Sequence, residues 1–253
     1  MDEIQGSEGS GSRLRDVPEP AWRTSPSGRP RTPLTREAII DAALRVLDRD
    51  GVDALSMRRV GEELGTGAAS LYWHVRNKGE LLQLVFEHVT DEVLLPPPDP
   101  ARWQEQLRDL AFDTRANLER HRDVARVSLG RIPAGPTLAR MTEWLFELLG
   151  PVGIPDRVIA YFGDLWALYV GAYAFEESLG LASPTGEDLP PDQIVAMLRE
   201  YLESLPEERF PRTRASIDLL FGGDADERFA FGVEVIIRGV ETYAPSAEAS
   251  SGA

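Results

Sequence analysis

Between residues 35 and 243 apolar side chains return every three or four positions, and no stretch alternates apolar with polar. That period gathers them on one face of a helix, so the chain is expected to be all-α. Thr35 stands before a stripe of Ala38, Ile39, Ala42, Ala43, Val46 and Leu47, and Gly51 ends it, a cap and a stop. Asn77 is placed to cap a helix from Lys78 to about Leu95, with Leu81, Leu82, Val85, Val89 and Val93 inward. PPPDP at 96–100 breaks the chain. Asp99-Pro100 then opens a helix towards Arg120 carrying Trp103, Leu107, Leu110, Ala111 and Leu118. Short helices are expected at 122–129 and 137–149. A long one runs from Pro155 to about Leu179, with Ile159, Phe162, Trp166, Tyr169 and Tyr173 at spacings of three and four. SPTGEDLPP at 183–191 reads as a mobile loop before helical stretches at 192–204, 212–221 and 225–243.

The pattern is most specific at 56–78, SMRRVGEELGTGAASLYWHVRNK. Ser56 is a good N-cap, a feature typically worth ~1 kcal/mol. Val60 and Leu64, four apart, face a core while Arg58 and Arg59 look outward. Gly65 ends this helix, and AASLYWHV follows with Leu71 and Val75 on its buried side. Two short helices joined by a tight glycine turn form a helix-turn-helix, whose second helix enters the DNA major groove. The same spacing also suits a plain helical hairpin in a bundle.

Composition narrows the setting. Of 253 residues 42% are hydrophobic, enough for one large core and a small satellite domain. No run of eighteen apolar residues marks a membrane span, and no signal peptide is legible. The absence of cysteine removes disulfides and thiolate chemistry, and a cytoplasmic protein is expected. A net charge of −15 is unusual for a DNA binder, but acids and bases are close to balance in residues 1–79 and the excess acid follows them. Residues 1–32 have almost nothing to bury and are expected to be a disordered arm. Within it SGRPR, with Arg29 and Arg31, resembles the core of an AT-hook that enters a narrow A·T-rich minor groove. An inert tail is the other reading.

The catalytic motifs do not hold. His121-Arg122-Asp123 imitates a kinase catalytic loop, but Ser128 stands where that loop needs Asn. His74, His88 and His121 are too scattered in sequence to suggest a metal site, and there is no glycine-rich phosphate loop. No enzyme, cofactor or metal is expected.

LYWHVRNK resembles the recognition-helix signature of the TetR family of bacterial regulators, and HRDVARVSLGRIP at 121–133 and RFAFGVEVIIRGVE at 228–241 resemble further segments of its tetracycline-repressor branch. The resemblance covers roughly Leu34 to Tyr243. It implies a DNA-binding domain at 33–79, a connecting helix at 80–95, a ligand-binding and dimerisation domain at 96–243 and a disordered tail at 244–253. It further implies a homodimer that holds a palindromic double-stranded operator, represses transcription, and is released by a small-molecule inducer. An activator or dual regulator is the alternative within the family, and an architectural DNA protein the alternative outside it. Arg58 matches a guanine-reading arginine, and Ser70, Tyr72, His74 and Lys78 match positions that touch bases or phosphates. Ala68 and Ala69 replace the Gln-Pro pair of the tetracycline-repressor branch, so a different operator is implied. Trp73 is assigned to packing.

For the inducer, Leu94 and Ser128 fall where that branch grips magnesium–drug through histidines, and Trp144 falls on a glutamine position. Trp103, Leu110, Trp144, Phe162, Trp166 and Tyr169 would line an aromatic cavity, although each alone also suits a core. A flat aromatic or apolar inducer without magnesium is expected. Phe229, Val233, Ile236, Val240 and Tyr243 repeat at four, three, four and three, and are expected to form the dimer interface with the long helix. Gly232 and Gly239 would permit close approach there, with Val235 and Ile237 left off the stripe.

Overall fold

A computed structural model describes residues 34–132, 134–179, 185–186 and 189–245. Among the described residues there are twelve α-helices and no strand, as the periodicity requires. The head comprises α1 (Arg36–Asp50), α2 (Met57–Glu63), α3 (Ala68–Leu71) and the start of α4 (Lys78–Asp91). Its three side-chain caps are local: Thr35 accepts the Ala38 amide, Ser56 that of Arg59 and Asn77 that of Glu80. Ile39, Ala43, Leu47, Val60, Leu71 and Val85 make a core with no exposed surface.

Three stretches differ from expectation: two helices are shorter, and 212–221 breaks at Ser216 into two short helices. α3 stops at Leu71, where the His74 and Val75 amides both fall on the Leu71 carbonyl and the chain turns. α4 stops at Asp91 because the Glu92 and Val93 amides reach back only three residues, to Val89 and Thr90, ahead of the prolines. α4 packs on α1 in the head and on α5, α6 and α7 in the body.

The body continues with α5 (Trp103–Arg120), α6 (Val124–Ser128), α7 (Gly135–Leu149) and α8 (Asp156–Leu179). After them come α9 (Pro191–Glu203), α10 (Pro211–Ala215), α11 (Ile217–Phe221) and α12 (Ala225–Glu241). α5, α7, α8 and α12 surround one apolar cluster, while α9, α10 and α11 pack on one another. At one end of the cluster the buried guanidinium of Arg115 on α5 binds Glu119, Glu177 on α8 and Asp226 on α12, and lies over the rings of Tyr173 and Phe229. Burial opposes its charge, yet the bonds from Glu177, Glu119 and Asp226 hold its pKa above the ordinary arginine value. Glu177 moves upward as well, because burial and the neighbouring Glu119 outweigh Arg115. α8 is long and apolar enough to cross a membrane by composition alone, although Asp164 sits at mid-helix. Here it is a bundle helix, with one face on the core and Tyr161, Leu165 and Leu168 exposed on the other.

Candidate DNA-binding and effector sites

The turn between α2 and α3 is tight. The Thr66 amide donates to the Gly61 carbonyl at 2.8 Å, and a Cβ at Gly61 would lie 2.9 Å from the Thr66 carbonyl, so only glycine fits. Gly65, at φ 64°, reverses the chain after α2. The two helices then present one outer surface. Arg58 on α2 is largely exposed and pairs with Glu62 at 2.5 Å, one turn on. From α3, Ala69 and Tyr72 are exposed, Ala68 and Ser70 partly so, and the Ser70 hydroxyl meets that of Thr66. His74 follows, half-buried, its carbonyl accepting from Arg36.

Two residues on this surface depart from expectation. Trp73 is 90% exposed, so it is not packing; with α3 ended at Leu71, its ring falls outside the buried register of Leu71 and Val75. Lys78 is neither free nor aimed outward by default, since its ammonium donates to the Val52 carbonyl at 2.9 Å and ties α4 to the α1–α2 loop. Arg29 and Arg31 lie outside the described residues.

In the body, Trp103, Leu110, Trp144, Phe162 and Trp166 are brought into one buried cluster with Leu148, Ile159, Val170 and Phe229, and Tyr169 packs on its edge. Polar positions are few. The Trp144 indole donates to the Pro96 carbonyl, and Tyr169 donates to the Phe229 carbonyl while its ring stacks on Phe229 at 5.6 Å. Leu94 does not belong with them. It is 83% exposed beyond the end of α4, while its neighbour Val93 points inward. Ser128 is buried with its hydroxyl committed to the Ala125 carbonyl.

Sequence reasoning missed a joint between head and body. Asp48 at the end of α1 accepts from the Arg122 amide at 3.0 Å and meets the His121 ring at 3.1 Å. Asp123, in the left-handed conformation at φ 62°, returns a carboxylate to the Val52 amide at 2.8 Å. Arg126 on α6 grips Asp53 through both Nη atoms, which holds the Asp53 carboxyl below its usual range. The His-Arg-Asp triplet dismissed as a false kinase motif is therefore the body's half of this joint. A cleft of about 470 Å³ opens beside it, lined by Glu119, His121, Arg122 and Glu177 among others. The one signal in the sequence was a run of charge at a helix boundary.

The dimer stripe is corrected in part. Phe229, Val233 and Val240 are buried in their own protomer, together with Ile237, and Ile236 is half-buried against the same cluster. A spacing of four, four and three fits the inward face, so Ile237 replaces Ile236. Gly232 is filled from within, because a Cβ there would lie 2.1 Å from the Tyr169 hydroxyl of α8. Phe231 (73% exposed), Val235 and Tyr243 form the apolar face that α12 leaves open.

Comparison with known proteins matches two family descriptions: "Bacterial regulatory proteins, tetR family" over residues 39–85 and "Tetracyclin repressor-like, C-terminal domain" over 95–244. The HTH-type transcriptional repressor DrrR1 of Streptomyces coeruleorubidus is 32% identical, covering 92% of this chain and 87% of its own length. The class D tetracycline repressor of Escherichia coli is 31% identical over 82% of this chain and 89% of its own. Among solved structures, ActR of Streptomyces coelicolor in complex with actinorhodin superposes with a TM-score of 0.77 at 41% identity, covering 85% of this chain and 99% of that one.

Proposed function

Because the chain belongs to the TetR family of bacterial regulators, we propose that it grips a palindromic operator as a homodimer and lets go when a flat aromatic or apolar molecule enters its body. Family members are ligand-responsive DNA-binding repressors that act as dimers, and the relatives matched here are regulators rather than enzymes. The repressor reading is favoured over the activator by those same relatives. Cytoplasmic location follows from the DNA partner.

The observation that carries the reading is the joint. One loop, 121–123, ends a helix of the aromatic cluster and also holds the end of α1 through Asp48 and Val52. A change in the cluster that shifts α5 therefore moves the head, and a ligand favouring one head spacing over another shifts operator affinity by that difference. We assign Arg58, Ala68, Ala69, Ser70, Tyr72 and His74 to the DNA, and add Trp73. Lys78 spends one of its three ammonium donors on the Val52 carbonyl and keeps the others for a phosphate. The arm, with Arg29 and Arg31, adds a minor-groove contact. The domain limits follow the same scheme: head 33–79, link 80–95, body 96–243. Trp103, Leu110, Trp144, Phe162, Trp166 and Tyr169 surround the ligand, and Phe231, Val235 and Tyr243 meet the partner copy with Tyr161, Leu165 and Leu168.

The test is release of the DNA upstream of its own gene by a panel of planar aromatic compounds, with and without a chelator, followed by mobility shift. Release by an aromatic compound in the presence of chelator supports the reading. Release by tetracycline that disappears with chelator overturns the ligand class.

A further inference from the structure

Every charged side chain of α2 except two is fastened to another part of the head. Arg59 binds Asp50, and Glu63 binds both Arg45 and Arg49 of α1. Arg58 and Glu62 bind only each other among the described residues, Nη1 to Oε1 at 2.5 Å, with side chains 75% and 57% exposed. An acid here is costly on DNA: α2 crosses the phosphate backbone in this motif, and a carboxylate beside phosphates is repelled. The pair also leaves something free. A guanidinium has five N–H donors in a fixed plane, and an acceptor on Nη1 leaves the Nε–Nη2 edge open. That edge carries the two parallel donors that match guanine O6 and N7.

We propose that Glu62 is a positioning residue for sequence recognition, holding the Arg58 fork so that its free edge meets a guanine. The inference rests on the reading of Arg58 as the base-contacting arginine. An unpaired arginine at this exposure samples many rotamers, and each must be given up on binding. Glu62 removes part of that freedom beforehand. Because an exposed pair one turn apart is weak, it orients the fork without locking it. Its charge also acts against sequences that offer Arg58 no guanine, where the phosphate repulsion is left without a compensating base contact.

The experiment uses the full-length protein and a duplex selected from randomised DNA by the wild type, with single base-pair changes at the guanine read by Arg58. Anisotropy titrations compare wild type, Glu62→Ala, Glu62→Gln and Arg58→Ala, and thermal melts run in parallel. Glu62→Ala is expected to flatten the preference at that base pair by about threefold to tenfold, leaving preferences elsewhere and the melting temperature unchanged. Glu62→Gln, which keeps an acceptor for Nη1 and loses the charge, restores the preference while binding all duplexes more tightly. If Glu62→Ala discriminates like the wild type, or Glu62→Gln fails to rescue it, the positioning role is wrong. If Arg58→Ala keeps the preference, the reading of Arg58 itself falls, whatever Glu62 does.

Discussion

The head and the body are both helical, yet their sequences specify orientation to different degrees. In the head, α1, α2 and α4 each start at a side-chain cap that reaches three residues on, and inward and outward positions separate cleanly. In the body α12 is apolar on several sides, from Phe229 and Phe231 through Val233, Val235, Ile236 and Ile237 to Val240. Only packing decides which of these look inward. Where a pattern has one apolar face, sequence fixes orientation; where it has two, the neighbouring helices choose.

The largest expected effect separates the two faces of α12. Phe229→Ala removes a ring packed on Phe112, Tyr169 and Tyr173 and covered by Arg115. It should cost about 3–5 kcal/mol in denaturant unfolding. Phe231→Glu, on the exposed face, should leave the protomer helical and convert the dimer to monomer in sedimentation; a stable dimer would return the interface to the buried stripe. Next comes Gly232→Ala. The added methyl meets the Tyr169 hydroxyl, and overpacking of this kind typically costs about 1–3 kcal/mol, read as a lower melting temperature. In the head, Asn77→Ala removes one cap bond, with an expected loss of ~1 kcal/mol confined to α4.

The smallest effect is one of pH. Asp53, Glu63 and Glu80 in the head and joint have pKa values lowered, each first by a hydrogen bond to arginine or, for Glu80, to the Arg76 amide. The stability they contribute is present above the ordinary carboxylate value near ~4 and is lost as pH falls through the lowered values. Glu177 in the body is raised, so its contribution has the opposite sign and declines as pH rises through its raised value. Glu105 and Glu234 in the body are lowered by arginines as well, so acidification weakens both regions. The head, with no raised carboxyl among the described residues to offset the loss, should show the earlier exposure of amides, in α1 and α2, to hydrogen exchange.

The sequence carried the helices, their caps and the outer face of the head, because those features are set within a turn or two. It did not carry the commitment of Lys78 to Val52, 26 residues away, nor the exposure of Trp73, which depends on where α3 stops. Leu94 shows the limit of counting positions from a motif: the inward register ends at Val93, and the next residue is in solvent. The aromatic cluster was legible as a set of residues and is packed as one. The joint was illegible because its partners sit on separate strips of sequence, each resembling an ordinary charged loop.

That separation sets an order of assembly. The bonds of the joint connect residues 71 to 74 positions apart, whereas the caps of the head span three. Closing so long a loop carries an entropic cost that local turns do not, so the joint forms only after α1 to α5 exist to bring its halves together. During synthesis the head is thus a folded object before it has an aim.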